Sequence, residues 1–391
     1  MSKVWRKWVA YVDVPLLGLL LLILAASLFV LSTAAYSLVP GDPYYYVKTN
    51  AVWMVAGLGL ALTVACVDYK HTRYAYGALY VLNVVMLLLV LFLGVSSRGA
   101  QRWLEVWGGI AFQPSEFAKI IVVVSLACFL ARRPKGLGRY KDFVVPFLFV
   151  LLPMALVFAQ PDLGTSLVFL AIFAGMMFAA GAHPIKFASV FVGVAVVGVA
   201  VVYLSLAAPE SLPVLLKPLA HVPLPLHDYQ IGRILVFLNP EVDVAGEGYQ
   251  VMQSLWAIGS GGLWGKGYQM GTQSQHNFVP DNHTDFVFSV VGEEFGFLGT
   301  SILLILFCGF LLRCVSVAMK SRDLLGLLIV AGLVSMWAFQ FVVNVGMASG
   351  MMPVTGMPLP FMTSGGSSMG ANLVGAGLVF GVYARRERTM F

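Results

Sequence analysis

Asn277-Phe278-Val279-Pro280-Asp281-Asn282-His283-Thr284-Asp285-Phe286, running on through Ser289 to Glu293 and Glu294, is where the longest polar interval of a very apolar chain turns back into a hydrophobic run. Two carboxylates, a histidine and a threonine gather just ahead of that run, and two more carboxylates lie inside it. Ionised side chains are expensive to bury and gain nothing in stability inside a membrane helix. The stretch therefore marks both a span and a candidate site.

Working outward, the composition fixes the class. Hydrophobic residues make up 59% of the 391 residues and charged residues 11%, with a mean hydropathy of +0.87, which excludes a set of soluble domains. A spanning helix needs about 20 mostly apolar residues. The chain offers about ten such windows: 14–36, 49–67, 74–94, 115–131, 143–159, 166–182, 187–207, 285–312, 323–345 and 366–384. The expected fold is an all-α integral membrane protein of about ten transmembrane helices, one domain over 1–391. Residues 208–284 form a large outer loop between spans seven and eight. The first window follows Lys3, Arg6 and Lys7, but its apolar run from Val14 to Leu31 exceeds the roughly 7–15 residues of a cleavable signal core. It reads as a retained signal anchor. Cys66, Cys128, Cys308 and Cys314 lie in or at the ends of spans, so no disulfide framework is implied.

Orientation follows from the basic residues. With a cytoplasmic N-terminus, every Lys and Arg falls inside except Lys48, Arg98, Arg102, Lys119, Lys217, Arg233 and Lys266. Of the acids, only Asp13, Asp68, Asp142, Asp323 and Glu387 fall inside. Both termini are then cytoplasmic and the opening stretch lies on the outer face. The net charge of +6 reports topology and contact with anionic membrane lipid, with no call for nucleic acid.

The outer segments carry the remaining signals. Residues 37–48 hold turn residues and tyrosines suited to the membrane interface. The second outer loop begins at Ser96 and includes Arg98, Arg102 and Trp103, leading to Gln113-Pro114-Ser115-Glu116-Phe117-Ala118-Lys119. Pro114 suits a first helical turn. Glu116 and Lys119 share a helix face, either as an ion pair that lets a helix end sit in the membrane or as a positioned cation near the outer mouth. Gln160-Pro161-Asp162-Leu163-Gly164-Thr165 makes a tight hairpin, where Asp162 either caps the next helix or lines a cavity. Two amphipathic pieces, 229–238 and 249–258, are too short to cross and suit the interface. Residues 259–267, dominated by glycine, read as a flexible turn or a phosphate-cradling nest. The last outer loop, from Gly346 to Met369, reads as broken helix at membrane depth, tolerated only beside protein or a wet cavity.

Taken together, the motifs at 113–119, 160–165 and 280–286, with Pro353-Val354-Thr355-Gly356-Met357-Pro358-Leu359-Pro360-Phe361, resemble the SEDS proteins (shape, elongation, division and sporulation) over essentially the whole chain, in order. His227-Asp228-Tyr229-Gln230, Arg233 and Asn239-Pro240-Glu241 resemble the elongation branch more than the division branch. The resemblance implies a peptidoglycan glycosyltransferase of the bacterial cytoplasmic membrane. It would polymerise lipid II into a growing lipid-linked glycan on the outer face, beside a class B penicillin-binding protein. The family's essential aspartate falls on Asp285, and a tryptophan of its second outer loop matches Trp103. One departure is Asp281, where the family usually carries glutamate.

Extending a glycan joins a sugar hydroxyl to an anomeric carbon that loses a lipid pyrophosphate. That needs a base for the hydroxyl proton and positive charge for the leaving group. Asp285 suits the base, with partial desolvation expected to raise its pKa. The competing reading is that Thr284 or Asp285 caps the following helix. The pyrophosphate candidates are Lys119, Arg98, Arg102, Arg233 and Lys266, with Lys119 and Arg102 favoured because they adjoin the family motifs. The alternative for the arginines is contact with lipid headgroups. A divalent cation, Mg2+ or Mn2+, could share that task, though the sequence names no cofactor. His283 lacks companions at metal-ligand spacing and suits capping or orienting Asp285. Asp281, Thr284, Asp162 and Ser367 complete the supporting set. At least one of Glu293 and Glu294 must face a polar interior. The rival class is a lipid II flippase or ion transporter, but that would place its charges near the midplane, whereas these cluster at one face. A non-catalytic scaffold for the penicillin-binding protein is the third reading.

Overall fold

The computed structural model describes residues 11–97, 100–106, 110–133, 139–189 and 246–386, together with 192, 193, 196, 233, 236 and 237. Among them the order is α1 (Val14–Ala34), α2 (Tyr45–Cys66), α3 (Thr72–Leu93), β1 (Val95–Ser97), β2 (Ala100–Val106), β3 (Ile110–Phe112), α4 (Pro114–Ala131), α5 (Lys141–Phe158), α6 (Leu163–Ala179), α7 (Glu247–Gly261), α8 (Thr272–Gln275), α9 (Val287–Met319), α10 (Leu324–Ala348) and α11 (Gly366–Ala384).

Eight of these helices are long and apolar enough to cross a membrane, and α6 is a shorter apolar helix in the sixth expected window. Most of the seventh window, 187–207, lies outside the described residues, as do Arg98, most of 208–245 and so the greater part of the first amphipathic piece. The second amphipathic piece is α7, longer than expected at Glu247–Gly261.

A helix that is apolar all round gives no sign in its sequence of which side faces lipid, and packing decides it. Helix α4 is 78% buried, with α11 and α10 close behind, while the span containing α3 is 17% buried. The central helices are therefore α4, α10 and α11. Small residues allow the close approach: a Cβ at Gly57 of α2 would stand 2.6 Å from Leu373 of α11, and one at Gly377 would strike the Ala61 backbone. Trp337 of α10 is wholly buried, donates to Asn372 Oδ1 at 2.8 Å, and packs against Phe310 and Phe361.

Helix α9 is broken at Gly296, whose φ of 63° and ψ of −159° are closed to other residues. Backbone groups freed by such a break must find partners inside a membrane. The glycine-rich segment supplies them. Lys266 N and Gly267 N donate to the carbonyls of Glu293 and Glu294, both at 3.0 Å, while Phe297 N and Leu298 N donate to Gly262 O and Leu263 O. The amides of Lys266 and Gly267 are thus spent on α9 rather than free to cradle a phosphate. Residues 259–267 form a fitted splint.

The loop between α3 and α4 also differs from expectation. It holds a three-stranded antiparallel sheet in the order β1-β2-β3, with Val95 opposite Trp103 and Leu104 opposite Phe112. Strands this short, with Gln101, Arg102 and Trp103 in succession, leave little period-2 signal against a background of apolar helices.

Candidate active site

Two ends of the bundle can be told apart by what they hold. At one, Asp13, wholly buried, pairs with Arg313 at 2.9 Å, Asp323 accepts from Tyr69 and Arg73, and Arg385 faces Asp68 at 3.6 Å. The other end collects the sheet, the 159–162 hairpin, α7, the segment 262–286 and the segment 349–365. Every described residue of the candidate set lies at this second end except Arg233, whose neighbours in the chain are largely outside the described residues.

The turn ahead of α9 is built around Asp281, which takes a left-handed φ of 53°. Its carbonyl receives the amides of Thr284, Asp285 and Phe286 at 3.0 to 3.2 Å, and the Thr284 hydroxyl at 3.3 Å. Asn282 is buried and donates to Ser274 O at 3.1 Å. The N-cap of α9 is Phe286, with no side-chain cap. The Thr284 hydroxyl is turned onto the Asp281 carbonyl instead. Asp285, half-buried, stands one residue before that cap. Its carboxylate Oδ2 lies beside Gly356, where a Cβ would sit 3.4 Å away. Asn344 Nδ2 donates to Asp285 O at 2.8 Å and to Met357 O at 2.7 Å.

The segment 352–365 joins this turn to the rest of the set. Ser364 donates to His283 O through both its amide and its hydroxyl at 3.1 Å, and the His283 ring lies 4.9 Å from that of Tyr46. A Cβ at Gly164 would meet Thr355 O and Met357 at 2.8 Å, so the start of α6 packs on the same segment. Asp162 caps α6, accepting from Thr165 N at 3.1 Å and Thr165 Oγ1 at 2.9 Å. Ser367 accepts from Gln113 N at 3.1 Å, tying α11 to the start of α4. One turn along α4, Lys119 donates to Glu116 Oε1 at 2.8 Å, both side chains almost fully buried. Glu116 Oε2 is buried without a hydrogen-bond partner.

The other cations are committed elsewhere. Arg102 donates to Gln160 O at 3.3 Å and to Pro161 O, clamping β2 to the hairpin, while Trp103 sits half-buried in the same strand. Lys266 donates to Glu293 Oε1 at 2.7 Å. Glu293 also accepts from Thr272, Gln273 and Ser274, and Glu294 from Thr33, Gln275 and Gln269. The two intramembrane acids therefore serve the chain itself. Among the described residues no group of three or more His, Cys, Asp or Glu is placed to hold a metal ion. The sequence reading assigned no site role to Asn344, Ser364 or Tyr46, and it met Gly356 only as part of the 353–361 motif. Asn344 left a signal of its own, as a carboxamide within an apolar span.

A many-helix membrane bundle whose candidate residues meet at one end, around an aspartate at a helix threshold, defines a polytopic membrane protein with a one-faced site. The chain belongs to the FtsW/RodA/SpoVE family of cell cycle proteins, whose family model matches residues 13–388. It is 35% identical to the peptidoglycan glycosyltransferase MrdB of Escherichia coli K12, over 98% of this chain and 96% of that one. Among solved structures it is similar to a chain of a peptidoglycan synthase complex that coordinates polymerization and crosslinking, with a TM-score of 0.76 and 34% identity over 95% and 97% of the two chains. It is also similar to the rod shape determining protein RodA of Thermus thermophilus, with a TM-score of 0.69 and 31% identity over 98% and 99%. Relatives named FtsW match as well.

Proposed function

We propose that this chain, a peptidoglycan glycosyltransferase like its relatives, polymerises lipid II with Asp285 as general base. The observation that carries the reading is the place of Asp285, half-buried one residue before the N-cap of α9 and against the 353–361 segment. Glu293 and Glu294 are buried under donors from their own chain, Asp162 is spent on a helix cap, and Glu116 is locked to Lys119. Asp285 stands half-buried at the threshold of α9, with its main chain pinned from below.

In the reaction, the acceptor sugar's hydroxyl oxygen attacks the donor's anomeric carbon while the bond to the diphosphate breaks. Asp285 takes the hydroxyl proton, and the lipid diphosphate leaves with the bonding electrons, inverting the anomeric centre. Among the described residues of this end the buried Lys119 is the cation best sheltered from water, where a charge acts over a longer reach. Arg98 and Arg233 would act at the rim, Arg102 and Lys266 only by giving up the Gln160 and Pro161 carbonyls and Glu293, and a divalent cation could supplement them. The Lys and Arg distribution supports placing this end on the outer face of the cytoplasmic membrane. The likeness to a synthase complex supports a class B penicillin-binding protein as partner. The motif at 227–230 supports the elongation branch over division.

The test is purified protein with its partner transpeptidase, incubated with lipid II in detergent. Glycan polymer from the wild type and none from a folded Asp285→Ala variant is the expected result. Polymer from Asp285→Ala overturns the base assignment, and lipid flipping in liposomes without polymer overturns the enzyme reading.

A further inference from the structure

We infer that Asn344 is a positioning residue for glycosyl transfer, holding the Asp285 main chain in register with the 353–361 segment; this rests on Asp285 being the base. Asn344 lies in the penultimate turn of α10, wholly buried. Its Nδ2 carries two hydrogen bonds, 2.8 Å to Asp285 O and 2.7 Å to Met357 O. Both partners are carbonyl oxygens, so only the amide nitrogen can face them, and the orientation of the carboxamide is set by chemistry.

Three chain segments meet at this one group. Helix α10 supplies the amide, the turn before α9 supplies Asp285, and the extended segment supplies Met357. The neighbour of Met357 is Gly356, the residue beside which Asp285 Oδ2 lies. A rigid helix thus fixes both the main chain that carries the carboxylate and the wall against which the carboxylate rests. The opposite pole, Asn344 Oδ1, is buried without a hydrogen-bond partner, as is Gln340 Oε1 one turn deeper on α10. The amide satisfies two main-chain carbonyls while leaving one acceptor of its own unpaired, so it contributes to stability as well as to the placement of Asp285, and only kcat per folded molecule separates the two.

The experiment compares Asn344→Leu and Asn344→Asp with wild type and Asp285→Ala in the lipid II polymerisation assay, alongside thermal unfolding in detergent. Leucine keeps the fork at Cγ, with two bulkier methyl groups, and removes the donors; aspartate keeps the shape and replaces donors by acceptors. Displacing a catalytic group by about 1 Å costs about 10²-fold. Both variants are therefore expected to lose about 10²-fold in kcat, with KM within about threefold, per folded molecule. If either variant keeps wild-type kcat while Asp285→Ala is dead, the positioning role is overturned and the base assignment stands. Activity in Asp285→Ala overturns the base assignment on which the inference rests. Loss of folded protein in step with loss of activity, at constant kcat per folded molecule, also overturns positioning and leaves Asn344 a packing residue.

Discussion

The carboxylate of Glu293 lies 2.7 Å from the Lys266 ammonium, wholly buried against a lysine side chain that is one quarter exposed. It takes four further hydrogen bonds, from Thr272 Oγ1, Gln273 N, Ser274 N and Ser274 Oγ. Two of these are amides of the first turn of α8, where backbone donors have no helical partner. Ser274 in turn holds Asn282, and Asn282 belongs to the turn that presents Asp285. A charge one and a half turns inside a membrane helix thereby anchors the chain leading to the candidate base.

Glu293→Gln should consequently destabilise the protein, since an amide nitrogen would face donors it cannot accept. Breaking one partner of a buried pair costs about 3–5 kcal/mol, and the partial exposure of Lys266 places this case toward the lower end. Lys266→Met should cost less, because Glu293 keeps its four other donors. Thermal unfolding in detergent checks the order. A larger loss for Lys266→Met would mean that the lysine, not the acid, organises the segment.

The Glu116–Lys119 pair separates structural from functional charge. Replacing either residue alone strands a buried ion, so Glu116→Met and Lys119→Met should each lower the unfolding temperature sharply. Removing both charges together should restore much of it, as apolar residues commonly match a buried pair. Polymerisation should not return in the double variant if the lysine faces the leaving diphosphate. Restored activity would make the pair a structural device.

Arg102 gives a more local expectation. Its guanidinium holds the Gln160 and Pro161 carbonyls, and a hydrogen bond to a charged group is worth about 1.5–3 kcal/mol. Arg102→Ala should loosen the sheet from the 159–162 hairpin, seen as faster hydrogen exchange in β2. Arg102→Lys should recover only part, having no planar fork to span two carbonyls. Unchanged exchange in both variants would free Arg102 for a role toward substrate.

Much of the fold was legible because membrane spans announce themselves by length and apolarity. The windows at 14–36, 49–67, 285–312 and 366–384 coincide with α1, α2, α9 and α11 within a few residues at most ends, though α9 runs on to Met319. Glu116 and Lys119 stood out because charge next to an apolar run is costly, while Asp285 was singled out from its neighbouring carboxylates by the motif at 280–286. The glycine splint was not, since its meaning lies in a kink thirty residues downstream in α9 that no local pattern encodes. Nor were the partners of Glu293, which come from a segment twenty residues away. Asn344 was hidden for a similar reason: one amide in a long apolar helix looks like a tolerated impurity until its partners are known.

Two glycines should fail in different ways when given a methyl group. Gly296 sits at φ 63° and ψ −159° with the Leu263 carbonyl 2.7 Å from where a Cβ would be. That backbone region is essentially closed to other residues, so Gly296→Ala should prevent α9 from closing on residues 262–267 and abolish folded yield. Gly356 has a positive φ of 68°, which strains any side chain by at least about 1–2 kcal/mol. Its added methyl would sit 3.4 Å from Asp285 Oδ2, an ordinary contact, but one that shields the carboxylate from an incoming hydroxyl. Gly356→Ala should therefore fold, unfold a few degrees early, and lose kcat more than stability. Equal polymerisation rates for Gly356→Ala and wild type, measured per folded molecule, would show that the Gly356 side of Asp285 is not the face that meets substrate.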